Sequence, residues 1–524
     1  MRTTERNGKH RGMNGVMVVG RGVLLAVAAL LAAVGPAVAA GGHGATIRGR
    51  LALVWGDGSP EAPVAVGPVA VVTDAAGNAV EVEIPDAVAA PFGGLLELDG
   101  REIVVRGSWS ARPSRIGSGA VLAAVSLELA APSRTEATTA LTGSQPWVSV
   151  LCKFSDSNAE PEDLAYFENM FSDQYPGLDH YWREVSYHNI DILGSEAHGW
   201  YTLPHPRSYY VDGSGNADLD TLFADCTQVA DGDVYYPTFV GINLMFNEDI
   251  GSYAWGGNRW ATLDGTTRSW RVTWEPPWGY GNVCVMSHEM GHGFGLPHST
   301  FGNDSNPYDN AWDVMSDTWS YTVTDPVYGQ VAQHTITYHK SERLGWLRAP
   351  EEVTVGSGAS ATVRLERLAR PEWPGPKEAR IPIGGSSTHF YTVEARRAAG
   401  YDHSLPGEGV IVHEVDTGRT EPAHVQGSDG AAGAELLPGA VFRDDANGVG
   451  VAVTGSDGTG YTVSVANGSA MAAAGLEVDA HAGTGTSSNA DGILEPGETA
   501  LLEPAWANAS LGSLSPAGTV SGFT

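Results

Sequence analysis

Only three cysteines, Cys152, Cys226 and Cys284, occur in 524 residues, so disulfides cannot stand in for apolar cores. In an oxidising compartment they make one bond and leave one free thiol. Three pairings are open, and Cys226–Cys284 is the favoured one. Positive charge is also scarce. Setting residues 1–39 aside leaves 25 basic against 60 acidic residues, a net charge near −35. Nucleic acid and anionic membrane surfaces are poor main partners for such a chain, because its own field repels them. After residue 39 no apolar run approaches the roughly 20 residues that a membrane-spanning helix needs.

The N-terminus differs from the rest. Arg2, Arg6, Lys9, Arg11 and Arg21 precede an apolar run from Val23 to Val34, and Ala37-Val38-Ala39 follows. This order predicts a secretory signal peptide over residues 1–39, cut near Ala39, and hence a secreted, extracellular protein.

What remains is too long for one core. Residues 40–138 read as an N-terminal β domain, a barrel or sandwich, from runs such as "IRGRLALVWGDG" and "GREIVVRGSW". A Ser/Thr-rich linker is expected near 131–145. Over 146–348 strands such as "PWVSVLCKF" and "FVGINLMFN" mix with helical candidates such as "LDTLFADCTQVA", which predicts an α/β domain. Strands return over 349–470 as a β-sandwich, and 471–524 reads as a partial β module or tail. The expected architecture is multidomain, an α/β domain flanked by all-β domains.

One stretch carries chemistry: "HEMGHGFGLPH", residues 288–298. On a helix His288 and His292 lie one turn apart on the same face and reach one cation. Glu289 sits beside them as a candidate general base. Gly295 can take the positive φ that ends the helix and brings His298 back to the same point. Three imidazoles with a fourth position open is the ligand count of catalytic zinc. On this composition a chance match to the full spacing is on the order of one in ten thousand. No glutamate lies between Glu289 and Glu342 to serve instead of His298; Asp304, Asp309 and Asp313 stay open as alternative ligands but read better as turn or calcium-type residues, and His298 is the favoured third ligand. His413-Glu414 lacks a second histidine and reads as strand.

The long motif resembles the metzincin clan of zinc peptidases, whose pattern includes a methionine turn beneath the metal. "AWDVMSD" offers Met315 for that turn. Further stretches, "LDHYWREVSYHNIDILGSEAHGWYTLP", "SYAWGGNRW", "KSERLGWL" and "YTVEARRAAGYDHSLPGEGVIVHEVD", resemble secreted bacterial peptidases related to immune inhibitor A, over about 146–468. That family commonly has Asp at the third-ligand position, where this chain has His298; gametolysin-like peptidases, with His there, are the neighbouring family. The resemblance implies a metzincin-like zinc endopeptidase domain with one catalytic Zn2+, a β-sandwich behind it and often Ca2+.

A secreted zinc endopeptidase acting on protein or peptide substrates is therefore expected, with Glu289 activating water. Tyr321 is a conceivable second electrophile, and "SYAWGGNRW" an edge strand for an extended substrate or else a plain loop. Residues 40–138 either inhibit or bind a surface or glycan. If they inhibit, the ligand is not a thiolate, for no cysteine precedes Cys152. The alternative is a non-catalytic surface- or glycan-binding adhesive protein with a vestigial metal site. Physiological substrate, calcium sites and oligomeric state are not readable from the sequence.

Overall fold

The computed structural model describes residues 44–508, except 118, 131–139, 303–305, 428–430, 469–470, 479–480, 482, 488, 494–495 and 501. The expected signal peptide and most of the expected linker lie outside the described residues. Among the described residues no helix is long and apolar enough to cross a membrane.

The strand Gly44–Gly58 (β1) changes character halfway along. Its first residues alternate between exposed and half-buried, whereas Leu51 to Gly58 are buried throughout. The cause is that β1 serves two sheets. With β2 (Ala65–Thr73), β3 (Ala79–Glu83), β4 (Glu102–Pro113) and β5 (Ala120–Leu129) it closes a barrel, in the order β1-β2-β3-β5-β4 and back to β1. Leu53, Val72, Leu98, Val105 and Leu122 fill the barrel. Closure leaves its strands few free edges.

The second sheet contains β6 (Trp147–Lys153), β7 (Glu196–Thr202), β8 (Gly241–Phe246), β9 (Tyr253–Leu263) and β10 (Thr266–Glu275), in the order β9-β10-β8-β6-β7. All run parallel except β9. Nearly every residue of β6 and β8 is buried, as expected of parallel strands covered on both faces. Four main helices supply the cover: α1 (Leu164–Met170), α2 (Leu178–Val185), α3 (Leu219–Ala230) and α4 (Val283–Gly293). Asp163 and Asp218 cap α1 and α3 by accepting the Tyr166 and Thr221 N–H groups. One apolar core joins Trp147, Trp182, Met286, Met290 and Trp346 under α2 and α4, and another joins Val150, Phe223, Trp270 and Trp274 under α3.

The two cores settle the cysteines. Cys152 on β6 and Cys226 on α3 share the α3 side and are bonded, with Cα atoms 6.1 Å apart. Cys284 is a buried free thiol in the core under α4. The favoured Cys226–Cys284 pairing is thus wrong, because the sheet separates those two residues.

"SYAWGGNRW" forms most of β9, yet β9 is not an edge. The end of β1 pairs with it antiparallel, from Val54 opposite Gly257 to Gly58 opposite Tyr253, and fuses barrel and α/β sheet into ten strands.

Behind the α/β part, a six-stranded sheet and a four-stranded sheet pack around Leu365, Val393, Val412, Val451 and Val463. The six-stranded sheet takes its outermost strand from Ser299–Phe301, paired parallel with Ala423–Val425. His298 therefore stands directly before an anchored strand. Beyond the sandwich, Met471–Val478 pairs antiparallel with Leu502–Asn508.

Candidate metal centre

Helix α4 is buried along its whole length, so its polar side chains need partners inside the protein. His288 and His292 find them in two directions. The Nδ1–H of His288 donates to the Val314 carbonyl at 2.7 Å, and that of His292 to the Leu296 carbonyl at 2.8 Å. These bonds fix the tautomer and leave each Nε2 as a lone pair. Gly295, at φ 88°, turns the chain after the helix, and His298 returns to face the other two. The three Nε2 atoms lie 3.0, 3.2 and 3.3 Å apart.

The fourth member comes from the barrel. Asp57, near the end of β1, places Oδ1 at 2.9 Å from His298 Nε2 and 3.4 Å from His288 Nε2, and Oδ2 at 3.3 Å from His292 Nε2. Asp57, His288, His292 and His298 form a buried group able to hold one metal ion. The donor set fits such an ion: two Nε2 lone pairs are fixed by their ring partners, and Asp57 Oδ2 receives no hydrogen bond. Burial alone would raise the Asp57 carboxyl, but the facing His298 and His288 rings hold it well below the usual range. Burial pushes His292 down to about 3, which favours the neutral, ligating imidazole.

Two aromatic residues frame the cluster. The Trp55 ring stacks on His292, with centroids 4.7 Å apart and planes 4° from parallel. The Tyr308 hydroxyl donates to Asp57 Oδ1 at 2.6 Å and accepts the Gly58 N–H at 3.3 Å.

Glu289 is fully buried, and neither carboxylate oxygen has a hydrogen-bond partner. Burial, then the nearby Asp57 and Glu275 carboxyls, raise it well above the ordinary range. Oε2 lies close under β9: a Cβ placed on Gly256 would be 2.7 Å from it. The space bordered by Asp57, Trp278, His288, Glu289, Tyr308 and Trp319 measures about 10 Å³, at the lower limit of what one water needs.

Met315 is buried beneath the cluster. A Cβ on Gly291, midway between Glu289 and Gly293 on α4, would lie 2.5 Å from the Met315 sulfur. Asp313 shapes this turn, accepting the Met315 N–H at 3.1 Å and the Ser299 hydroxyl at 2.7 Å. Asp309 accepts the Phe301 N–H and the Thr300 hydroxyl, so both aspartates brace the segment after His298. Asp304 lies outside the described residues. His413 and Glu414 sit in a sandwich strand, as expected.

The sequence reading missed Asp57, Trp55 and Tyr308. Tyr321 does not border the site; the tyrosine that does is Tyr308. The one trace of Asp57 in the sequence is its place in "WGDG", an acid between glycines at the end of an otherwise apolar strand. Compared with protein-family models, curated proteins and solved structures, the chain shows no match, and the reading of the site rests on its geometry.

Proposed function

We propose that this protein is a secreted zinc-dependent endopeptidase of the metzincin kind, with His288, His292 and His298 as the metal ligands of its working state. The observation that carries this reading is the unpaired, fully buried Glu289 carboxyl on the helix that supplies two of three converging imidazoles. An isolated buried carboxylate is costly, and a proton-transfer role explains why one stands there. A divalent ion held by the imidazoles supplies Lewis acidity toward a scissile carbonyl and makes water acidic enough to attack near neutral pH. Glu289 takes the proton of the attacking water and delivers it to the leaving amine. β9 runs beside the cluster, but its outer backbone groups pair with β1 over Tyr253–Gly257, so it takes an extended polypeptide substrate only where β1 is displaced. A disulfide between Cys152 and Cys226 suits an oxidising, extracellular setting.

A second reading has its own support. With Asp57 the cluster has four protein ligands, the count of a structural metal site, as a non-catalytic surface-binding protein would use. Glu289 distinguishes them, since a structural site gives it no task. The test is hydrolysis of a quenched casein substrate after limited proteolysis, beside Glu289→Ala, with zinc measured on both. Equal zinc and Glu289-dependent cleavage support the peptidase. Equal zinc with no cleavage before or after proteolysis supports the structural site.

A further inference from the structure

The peptidase reading leaves several buried polar side chains unused, and five of them form one chain of contacts that starts at the residue after His298. Ser299, Asn310, Asp313, His339 and His413 are all fully buried. The Ser299 hydroxyl donates to Asp313 Oδ2 at 2.7 Å and accepts an Asn310 Nδ2–H at 2.9 Å. Asp313 Oδ1 accepts the Met315 N–H, and Asn310 Oδ1 accepts the Trp312 N–H, each at 3.1 Å.

Two histidines from distant elements complete the chain. His339, the first residue of a π-helical turn over His339–Arg343, places Nδ1 3.3 Å from Asp313 Oδ2 and 2.6 Å from the Thr335 hydroxyl. Beside that carboxylate, Nδ1 is the nitrogen that carries the proton. His413, in the sandwich strand Gly409–Asp416, places Nε2 3.3 Å from Asn310 Nδ2. An amide N–H can only donate, so Nε2 of His413 is an acceptor. Burial pushes this ring down to about 4 and keeps it neutral.

The network reaches two of the three imidazoles. Ser299 follows His298 directly, and the Val314 carbonyl that accepts the His288 Nδ1–H stands between Asp313 and Met315. The Val314 N–H is itself tied to the His334 carbonyl at 3.2 Å. His292 is held independently, by the Leu296 carbonyl. Stability does not account for this arrangement. Apolar packing of equal volume often matches or surpasses a buried polar network, and here His339 Nε2 and His413 Nδ1 have no hydrogen-bond partner. What the network supplies is direction, because partners behind metal ligands fix the orientation of their rings.

We propose that His339 and His413 are positioning residues of the metal centre: through Asp313 and Asn310 they set the Ser299 hydroxyl and the Val314 carbonyl, and thereby aim His298 and His288 at one ion. This rests on the metal-centre reading above. The sandwich is then part of the site, because His413 belongs to it. The stretch "KSERLGWL" contributes through the histidine that immediately precedes it.

The experiment uses the full chain and two probes: zinc, whose affinity is read by competition with a chromophoric chelator, and cobalt(II), whose visible absorption reports ligand geometry. Ser299→Ala, His339→Leu and His413→Leu each break one link. His339→Asn keeps an N–H donor at the reach of Nδ1, and His413→Gln keeps an acceptor at the reach of Nε2. The three breaking variants are expected to bind zinc about ten- to hundredfold more weakly and to alter the cobalt spectrum. His339→Asn and His413→Gln are expected to recover most of the loss. In the double variant Ser299→Ala/His339→Leu the two losses should sum to less than their total, as for members of one network. Thermal unfolding of the metal-free chains separates folded from unfolded variants, and Ser299→Ala, which removes a single hydroxyl, carries the test if a leucine variant does not fold. If the folded breaking variants bind zinc as tightly as the wild type and share its cobalt spectrum, the network only packs the chain and the proposal falls. Equal losses in the leucine variants and in His339→Asn and His413→Gln overturn it too, since packing then accounts for them. If the wild type binds neither metal, the metal-centre reading itself fails and the proposal with it.

Discussion

Asp57 Oδ1 lies 2.9 Å from His298 Nε2, joining the end of a barrel strand to the turn after a helix in another part of the chain. The two residues reach each other because β1 extends past the barrel and pairs with β9, whose Gly256 lies against Glu289 of α4. Barrel, α/β sheet and sandwich all meet here, for His298 leads into a sandwich strand.

Glu289→Ala is expected to abolish catalysis without emptying the site. Hydrolysis by the activated protein should fall roughly a hundred- to ten-thousand-fold, the range for loss of a general base. Zinc content by elemental analysis should remain equal to that of the wild type, since Glu289 is not one of the four residues whose donor atoms converge.

Removal of the metal should be felt as a loss of stability. An ion that binds only the folded chain adds about 4 kcal/mol at a thousandfold excess over its dissociation constant. Dialysis against a chelator should therefore lower the thermal midpoint, and zinc should restore it. His292→Ala should start from the lower midpoint and show no response to zinc.

The buried Arg396 predicts a different loss. It donates to Asp402 through Nε at 2.9 Å and Nη2 at 2.7 Å, to Glu394 at 2.9 Å, and to the Trp312 carbonyl. Asp402→Ala leaves that guanidinium short of charge deep in the protein, at an expected cost of about 3–5 kcal/mol in denaturant unfolding. The Trp312 contact carries the disturbance to the Met315 turn, so metal affinity should weaken as well.

Acid stability should depend on Glu184. It accepts the Tyr401 N–H at 2.9 Å and the Arg370 Nε–H at 2.8 Å, and it meets His334 at 3.2 Å. Burial opposes its charge, but His334 and these donors bring the carboxyl down to about 2. A folded pKa below the unfolded one gives stability that is complete above the unfolded value of about 4.3. It is lost as pH falls from there through about 2. The wild type should lose stability across that window, and Glu184→Gln should lose less across it, as read by unfolding at a series of pH values.

The parts of the site that lie close in sequence were legible. His288, Glu289 and His292 follow from the rise of a helix, and Gly295 from the need for a left-handed turn before His298. β6 and β8 announced themselves as apolar runs, whereas the caps Asp163 and Asp218 were seen only in the structure. What the sequence hid depends on contacts between distant segments. Asp57 belongs to a strand whose alternation says only that it is half-buried, and nothing local shows that it reaches across to β9. Cys152 and Cys226 pair because β6 and α3 share one face of a sheet, and their spacing carries no record of which face. Tyr308 borders the site and Tyr321 does not; the loop between them is shaped by Asp309 and Asp313, which accept the Phe301 and Met315 N–H groups, contacts that no local pattern records.

The most direct measurement is a crystal structure of the full chain with anomalous data collected on both sides of the zinc absorption edge. The account predicts one zinc peak among the Nε2 atoms of His288, His292 and His298, with the Asp57 carboxylate as the fourth ligand and β1 paired along β9. No peak at that point, or zinc held only at surface carboxylates, would contradict it.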